Sequence, residues 1–112
     1  MKAAETFFAT LYIGSREHYD GILHNLDDVE KICQDYVDDV GLCITITPTK
    51  YVYKNGNEDG CAIGLINYPR FPSDSESITR TAVELATILM KEFNQYRVSI
   101  VTPNQTITLE NE

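Results

Sequence analysis

The run "LCITITPTKYVYKNGNEDGCAIGLINY", residues 42–68, decides the fold. Its first half alternates Leu42, Ile44 and Ile46 with Cys43, Thr45 and Thr47, the period of two expected of a strand with one apolar face. Residues 61–68, "CAIGLINY", form a second β-rich run, and "KNGNEDG" between them carries two turn dipeptides, Asn55-Gly56 and Asp59-Gly60. The segment is therefore a hairpin. A turn at Asn55-Gly56 sets Ile46 against Leu65 and Ile44 against Asn67, with both apolar sets on one side. Cys43 then lies opposite Tyr68 and far from Cys61, which disfavours a disulfide between the two cysteines. Pro48 has no amide to donate, so the first hairpin strand is an edge strand or is bulged there.

A helical pattern flanks the hairpin on each side. Upstream, Asn25 reads as an N-cap with Asp27 and Asp28 in the first turn, and Leu26, Val29, Ile32, Cys33, Tyr36, Val37 and Val40 recur at three- and four-residue steps until Gly41. Downstream, Ser73 and Glu76 form an S-x-x-E capping box that opens a second helix. Its buried stripe is Ile78, Ala82, Leu85, Ala86, Leu89 and Phe93, with Asn94 at its close; about 20 residues span about 30 Å.

Further out, "TFFATLYIG", residues 6–14, sets Phe7, Ala9, Leu11 and Ile13 against Phe8, Thr10 and Tyr12. "RVSIVT" supplies a fourth strand, and "TITLE" reads either as a fifth C-terminal strand or as an extended tail. The order is βαββαβ, the ferredoxin-like α+β pattern, with two helices on one face of an antiparallel sheet in a single domain spanning residues 1–112. Strand parity then places Phe8, Thr10, Tyr12, Thr45, Thr47, Tyr51, Tyr53, Ile66 and Tyr68 on the open face. Aromatic and apolar residues there predict an interface, and a homodimer or higher homo-oligomer is the expected partnership.

Composition narrows the function classes. The 112 residues are 43% hydrophobic and 23% charged, within the ordinary globular range. Seventeen acidic against nine basic side chains leave a net charge of −8, which repels phosphate backbones, so no nucleic acid is expected. No apolar run approaches the roughly 20 residues that cross a bilayer, and the N-terminus does not read as a signal peptide, so no membrane is expected and the cytoplasm is. Three cysteines, Cys33, Cys43 and Cys61, form no CxxC pair, and neither a metal nor a cofactor is expected.

Three places carry candidate chemistry. The loop "SREHYDGILHN", residues 15–25, holds Arg16 and both histidines, His18 and His24, with Asp20, but its spacing matches no metal motif, and no G-x-S-x-G elbow surrounds Ser15. In "YPRFP", two prolines restrict Arg70 and Phe71 beside Tyr68, a set suited to a small anionic ligand carried on a ring. With Arg16 and Tyr12 these residues form the ligand-binding candidates. The first helix also presents Asp28, Glu30, Asp35, Asp38 and Asp39, an acidic face fit for a basic protein partner. With no catalytic constellation in view, the expectation is a non-enzymatic interaction module that self-associates through its sheet face. The alternatives are a protein that binds or sequesters a phosphorylated or nucleotide-like ligand and an acidic inhibitor acting through helix one.

Overall fold

The computed structural model describes residues 1–15 and 25–111. Five strands, β1 (Phe8–Gly14), β2 (Thr45–Tyr53), β3 (Gly56–Ile66), β4 (Arg97–Val101) and β5 (Thr106–Glu110), form one sheet in the order β2-β3-β1-β4-β5. Every neighbouring pair is antiparallel, and the helices α1 (Leu26–Val40) and α2 (Ser75–Glu92) complete the ferredoxin-like α+β arrangement. The "TITLE" segment is the fifth strand, paired with β4. Among the described residues no helix is long and apolar enough to cross a membrane.

The core lies between the helices and one sheet face. Ala9, Leu11 and Ile13 of β1, Ile63 of β3 and Val98 and Ile100 of β4 meet Leu85, Ala86 and Leu89 of α2, all essentially buried. Alternation delivers these residues to one side and the 3.6-residue period delivers the α2 stripe to meet them. Leu89→Ala would remove about 2–5 kcal/mol by this packing alone. On α1, Val29, Cys33 and Tyr36 are buried, whereas Val40, in the last turn, is exposed. The Tyr36 hydroxyl donates to Glu84 Oε1 at 2.9 Å and so ties the two helices together.

Capping follows sequence chemistry with one shift. Asn25 accepts from the Asp28 amide, and Gly41 ends α1 in the left-handed region at φ 73°. The α2 cap, however, is Asp74 rather than Ser73: its carboxylate accepts from the Ser77 amide at 2.7 Å, and this bond holds its pKa below the usual value. A carboxylate one residue later wins because it offers a charged acceptor to the positive helix end. Phe93 is the C-cap, and Asn94 follows it at φ 48°, turning the chain toward β4.

The hairpin register also differs from expectation, by two residues. Ile46 pairs with Ile63 and Tyr53 with Gly56, so the turn residues are Lys54 and Asn55, the latter at φ 65°. A slip of two preserves faces, which is why the apolar sets still coincide. It also extends β3 back through Asn57, Glu58 and Asp59, residues that read as turn. Pro48 sits on β2, an edge strand, where its missing donor costs no ladder bond.

Candidate functional site

Seen from the uncovered side, the sheet carries Phe8, Thr10, Tyr12 and Gly14 of β1, Thr45, Thr47, Tyr51 and Tyr53 of β2, and Glu58, Gly60 and Ile66 of β3, as pairing and parity require. Phe8, Tyr12, Tyr53 and Ile66 are exposed there. Tyr51 is not a surface aromatic as expected. Its hydroxyl hydrogen-bonds to the carbonyl oxygens of Ile13 at 3.0 Å and Cys61 at 3.1 Å. Burial, then the neighbouring Cys61, Glu58 and Tyr12, raise its pKa, so the phenol stays protonated.

At the end of β1 this face holds a cleft of about 210 Å³ lined by Tyr12, Gly14, Tyr51, Glu58, Gln95, Tyr96, Arg97 and Ser99. A methyl group built on Gly14 would stand 2.9 Å from Glu58 Cδ and 3.3 Å from Gln95 Oε1, so the acid and the amide converge above this glycine. Gln95 is only 4% exposed, one of two buried polar residues among those described. It reaches that position because the left-handed turn at Asn94 brings the chain back under α2, where the Gln95 backbone N–H donates to Met90 O at 2.8 Å. Arg97 stands over the Tyr96 ring, 4.6 Å from its centroid. A carboxylate set among tyrosine faces suits an organic cation, and a guanidinium on the same rim suits a carboxylate.

The other candidates do not join this cleft. Tyr68 and Phe71 pair at 5.5 Å, and a hydrogen bond between the Tyr68 hydroxyl and the Cys43 thiol raises the Tyr68 pKa. Together with Leu42 and Ile78 they line a separate cavity of about 240 Å³ near the opposite end of β3. Arg70 is exposed and lines neither. Arg16 lies outside the described residues, with His18, Asp20 and His24. Asp28, Glu30, Asp35, Asp38 and Asp39 are exposed on α1, where Asp38 accepts from Gln34 Nε2 at 2.9 Å. Among the described residues no three His, Cys, Asp or Glu side chains group as metal ligands would.

Of the residues brought together at the cleft, only Tyr12 and Tyr51 stand out in the sequence as open-face positions. Glu58 is hidden by its turn-like neighbours, although parity from Tyr51 puts it on the open face as a carboxylate among hydroxyls and aromatics. Gln95, Tyr96 and Arg97 follow a helix end and carry no pattern of their own.

The five-strand order and the cleft at its Gly14 end define a ferredoxin-like chain with a polar pocket on the uncovered sheet face. No known protein family matches the chain, and no curated protein is similar to it in sequence. Two solved structures are similar in fold. A phage SAM lyase in its apo state superposes with a TM-score of 0.81 at 18% identity, over 95% of this chain and 90% of that one. A phage SAM lyase in complex with S-methyl-5'-thioadenosine gives 0.78 at 16% identity, over 100% and 95%. At these identities the likeness is one of fold. It nevertheless overturns the expectation of a non-enzymatic module, because both of these structures, alike over nearly the whole length of each chain, are of enzymes.

Proposed function

We propose that the protein is a lyase that cleaves S-adenosylmethionine and releases S-methyl-5'-thioadenosine from the cleft above Gly14. The observation that carries this reading is the fold likeness to phage SAM lyases across nearly the entire length of both chains, with a carboxylate-and-tyrosine cleft on the shared sheet. The sulfonium centre of the substrate bears a methyl, an adenosyl and a four-carbon amino acid arm. S-methyl-5'-thioadenosine keeps the first two, so the bond that breaks joins sulfur to the third.

The bond's electron pair goes to sulfur, which leaves as a neutral thioether. The substrate's own carboxylate attacks the γ-carbon as that bond breaks, which closes a five-membered lactone in one displacement with no free carbocation. This step cancels the positive sulfonium against the negative carboxylate and transfers no proton, so it asks the protein for shape and electrostatics rather than for a strong base. Glu58 and the π faces of Tyr12 and Tyr51 hold the sulfonium, each aromatic contact contributing about 0.5–2 kcal/mol. Arg97 orients the carboxylate, and the net charge of −8 draws a cationic substrate toward the protein.

A homo-oligomer fits this reading, since a 210 Å³ cleft falls short of the roughly 300 Å³ at which ligand pockets begin, and a second copy over the exposed Tyr12 and Tyr53 would deepen it. The cytoplasm is the proposed site of action, where the buried free thiols Cys33 and Cys61 stay reduced. The experiment is incubation of purified protein with S-adenosylmethionine and chromatography of the products, with light scattering on the same preparation. Stoichiometric S-methyl-5'-thioadenosine and a four-carbon lactone are expected, from a particle larger than one chain. Unchanged substrate at micromolar enzyme removes the lyase reading.

A further inference from the structure

Gly14 and Gly60 are direct partners across β1 and β3, and both face the open side. Two opposed glycines leave a stretch of sheet with no side chains, and its space is filled from elsewhere. Above Gly14 lies the Glu58 carboxylate, with the Gln95 amide oxygen beside it. Above Gly60 lies the Tyr51 ring: a methyl built there would stand 2.6 Å from Tyr51 Cε2. Tyr51 and Glu58 are themselves cross-strand partners on β2 and β3, so the functional ends of both side chains lean the same way, onto the glycine pair. Neither glycine has a positive φ, so the backbone torsion angles do not require them. What requires them is the space above their α-carbons.

We infer that Gly14 and Gly60 are positioning residues for the reaction, a bare trough that lays Glu58 and Tyr51 flat on the sheet and fixes the carboxylate at the floor of the cleft. This rests on the proposed lyase activity only for its kinetic readout. A methyl at Gly14 has the Glu58 carboxylate group in its way, and at Gly60 it also meets the Ile13 carbonyl oxygen. The obstacle at Gly14 is a side chain with rotatable bonds, whereas at Gly60 it includes backbone that cannot shift. Gly14→Ala is therefore the cleaner test. Gly64 provides the control: it lies on the open face of β3, as Gly60 does, but a methyl there meets only the Thr45 hydroxyl, the end of a short rotatable side chain.

The experiment compares wild type with Gly14→Ala, Gly14→Ala/Glu58→Asp and Gly64→Ala. Two readouts are taken: kcat and KM on S-adenosylmethionine, and the Glu58 side-chain carboxyl resonance with its titration followed by NMR. Gly14→Ala should lower kcat at least tenfold with thermal stability nearly unchanged and should move the Glu58 resonance. In the double variant the acid is one methylene shorter and clears the added methyl, so part of kcat should return, which a merely structural role of Gly14 would not produce. Gly64→Ala should stay within twofold of wild type. A Glu58 resonance and titration unchanged in Gly14→Ala overturn the trough, whatever the activity. A moved resonance in a protein inactive even as wild type keeps the trough and discards the lyase reading. If Gly14→Ala fails to fold, the trough requires that Gly14→Ala/Glu58→Ala, which removes the obstructing carboxylate, folds with thermal stability close to that of wild type; a double variant that also fails to fold overturns it.

Discussion

The two ends of the open sheet face share strands but differ in chemistry. At one end β1 and β3 pair Gly14 with Gly60; at the other, roughly 20 Å along β3, they pair Phe8 with Ile66. Removing side chains from one pair admits a carboxylate and a phenol onto the sheet, where they converge with Gln95. Supplying large side chains to the other pair makes an apolar surface, and beyond it Tyr68, Phe71 and Cys43 gather around their own cavity. The difference teaches that the cleft end of this sheet is defined by what its central strands lack.

The strongest way to break that contrast is Glu58→Gln, which keeps shape and removes charge. If Glu58 binds the sulfonium and holds it in the geometry of attack, kcat/KM for S-adenosylmethionine cleavage should fall on the order of 100-fold, equivalent to about 3 kcal/mol, with little change in thermal stability. Turnover at the wild-type rate would move the chemistry away from the glycine end.

The two ends are not equally legible in the sequence. The helices, β1 and β4 follow from period and caps, and Asn25 and Gly41 mark the ends of α1 to the residue. The first half of β3 does not, because Gly56, Asn57, Asp59 and Gly60 are turn formers that occupy a strand here only through their pairing with β2. Glu58 therefore looks like part of a loop, and its partnership with Tyr51 emerges only once the turn is fixed at Lys54 and Asn55. Gln95 is buried by a backbone turn at Asn94, which no hydrophobic period records. "YPRFP" is conspicuous for the converse reason: its prolines and aromatics stand out in sequence, yet the structure gathers only Tyr68 and Phe71 at the cavity.

A smaller effect separates the thiols on the two sides of the sheet. Cys61 lies behind Gly60 on the covered face and Cys33 faces it from α1, both buried, whereas Cys43 is exposed beside Tyr68. Burial pushes the Cys33 thiol up to about 12, with Cys61 adding to the shift, and pushes Cys61 up to about 11. Above the ordinary value of 9.0 the unfolded chain gains by ionising these thiols while the folded chain does not. Stability is thus full below pH 9 and declines as pH rises toward 11 and 12. Urea midpoints measured from about pH 7 to about pH 10.5 should fall only beyond the ordinary thiol value, and a thiol reagent at about pH 8 should label Cys43 first. Rapid labelling of Cys61 in folded protein would mean that the sheet behind the glycine pair is open.

The smallest effect belongs to Arg70→Ala, and its smallness is informative. The loop that carries Arg70 is pinned without it: Asn67 Nδ2 donates to Glu5 O at 2.8 Å, Asn67 Oδ1 accepts from the Ser73 amide at 2.8 Å, and the Phe71 amide closes a turn onto Tyr68 O at 3.1 Å. Arg70 lines neither cavity, and exposed substitutions of this kind usually change stability by no more than about 0.5 kcal/mol. Cleavage of S-adenosylmethionine by Arg70→Ala should therefore stay within twofold of wild type, and so should its KM. A tenfold rise in KM would bring the Tyr68 end into the substrate site, with the four-carbon arm's carboxylate reaching Arg70 instead of Arg97. In that case the two ends of the face would form one site rather than two.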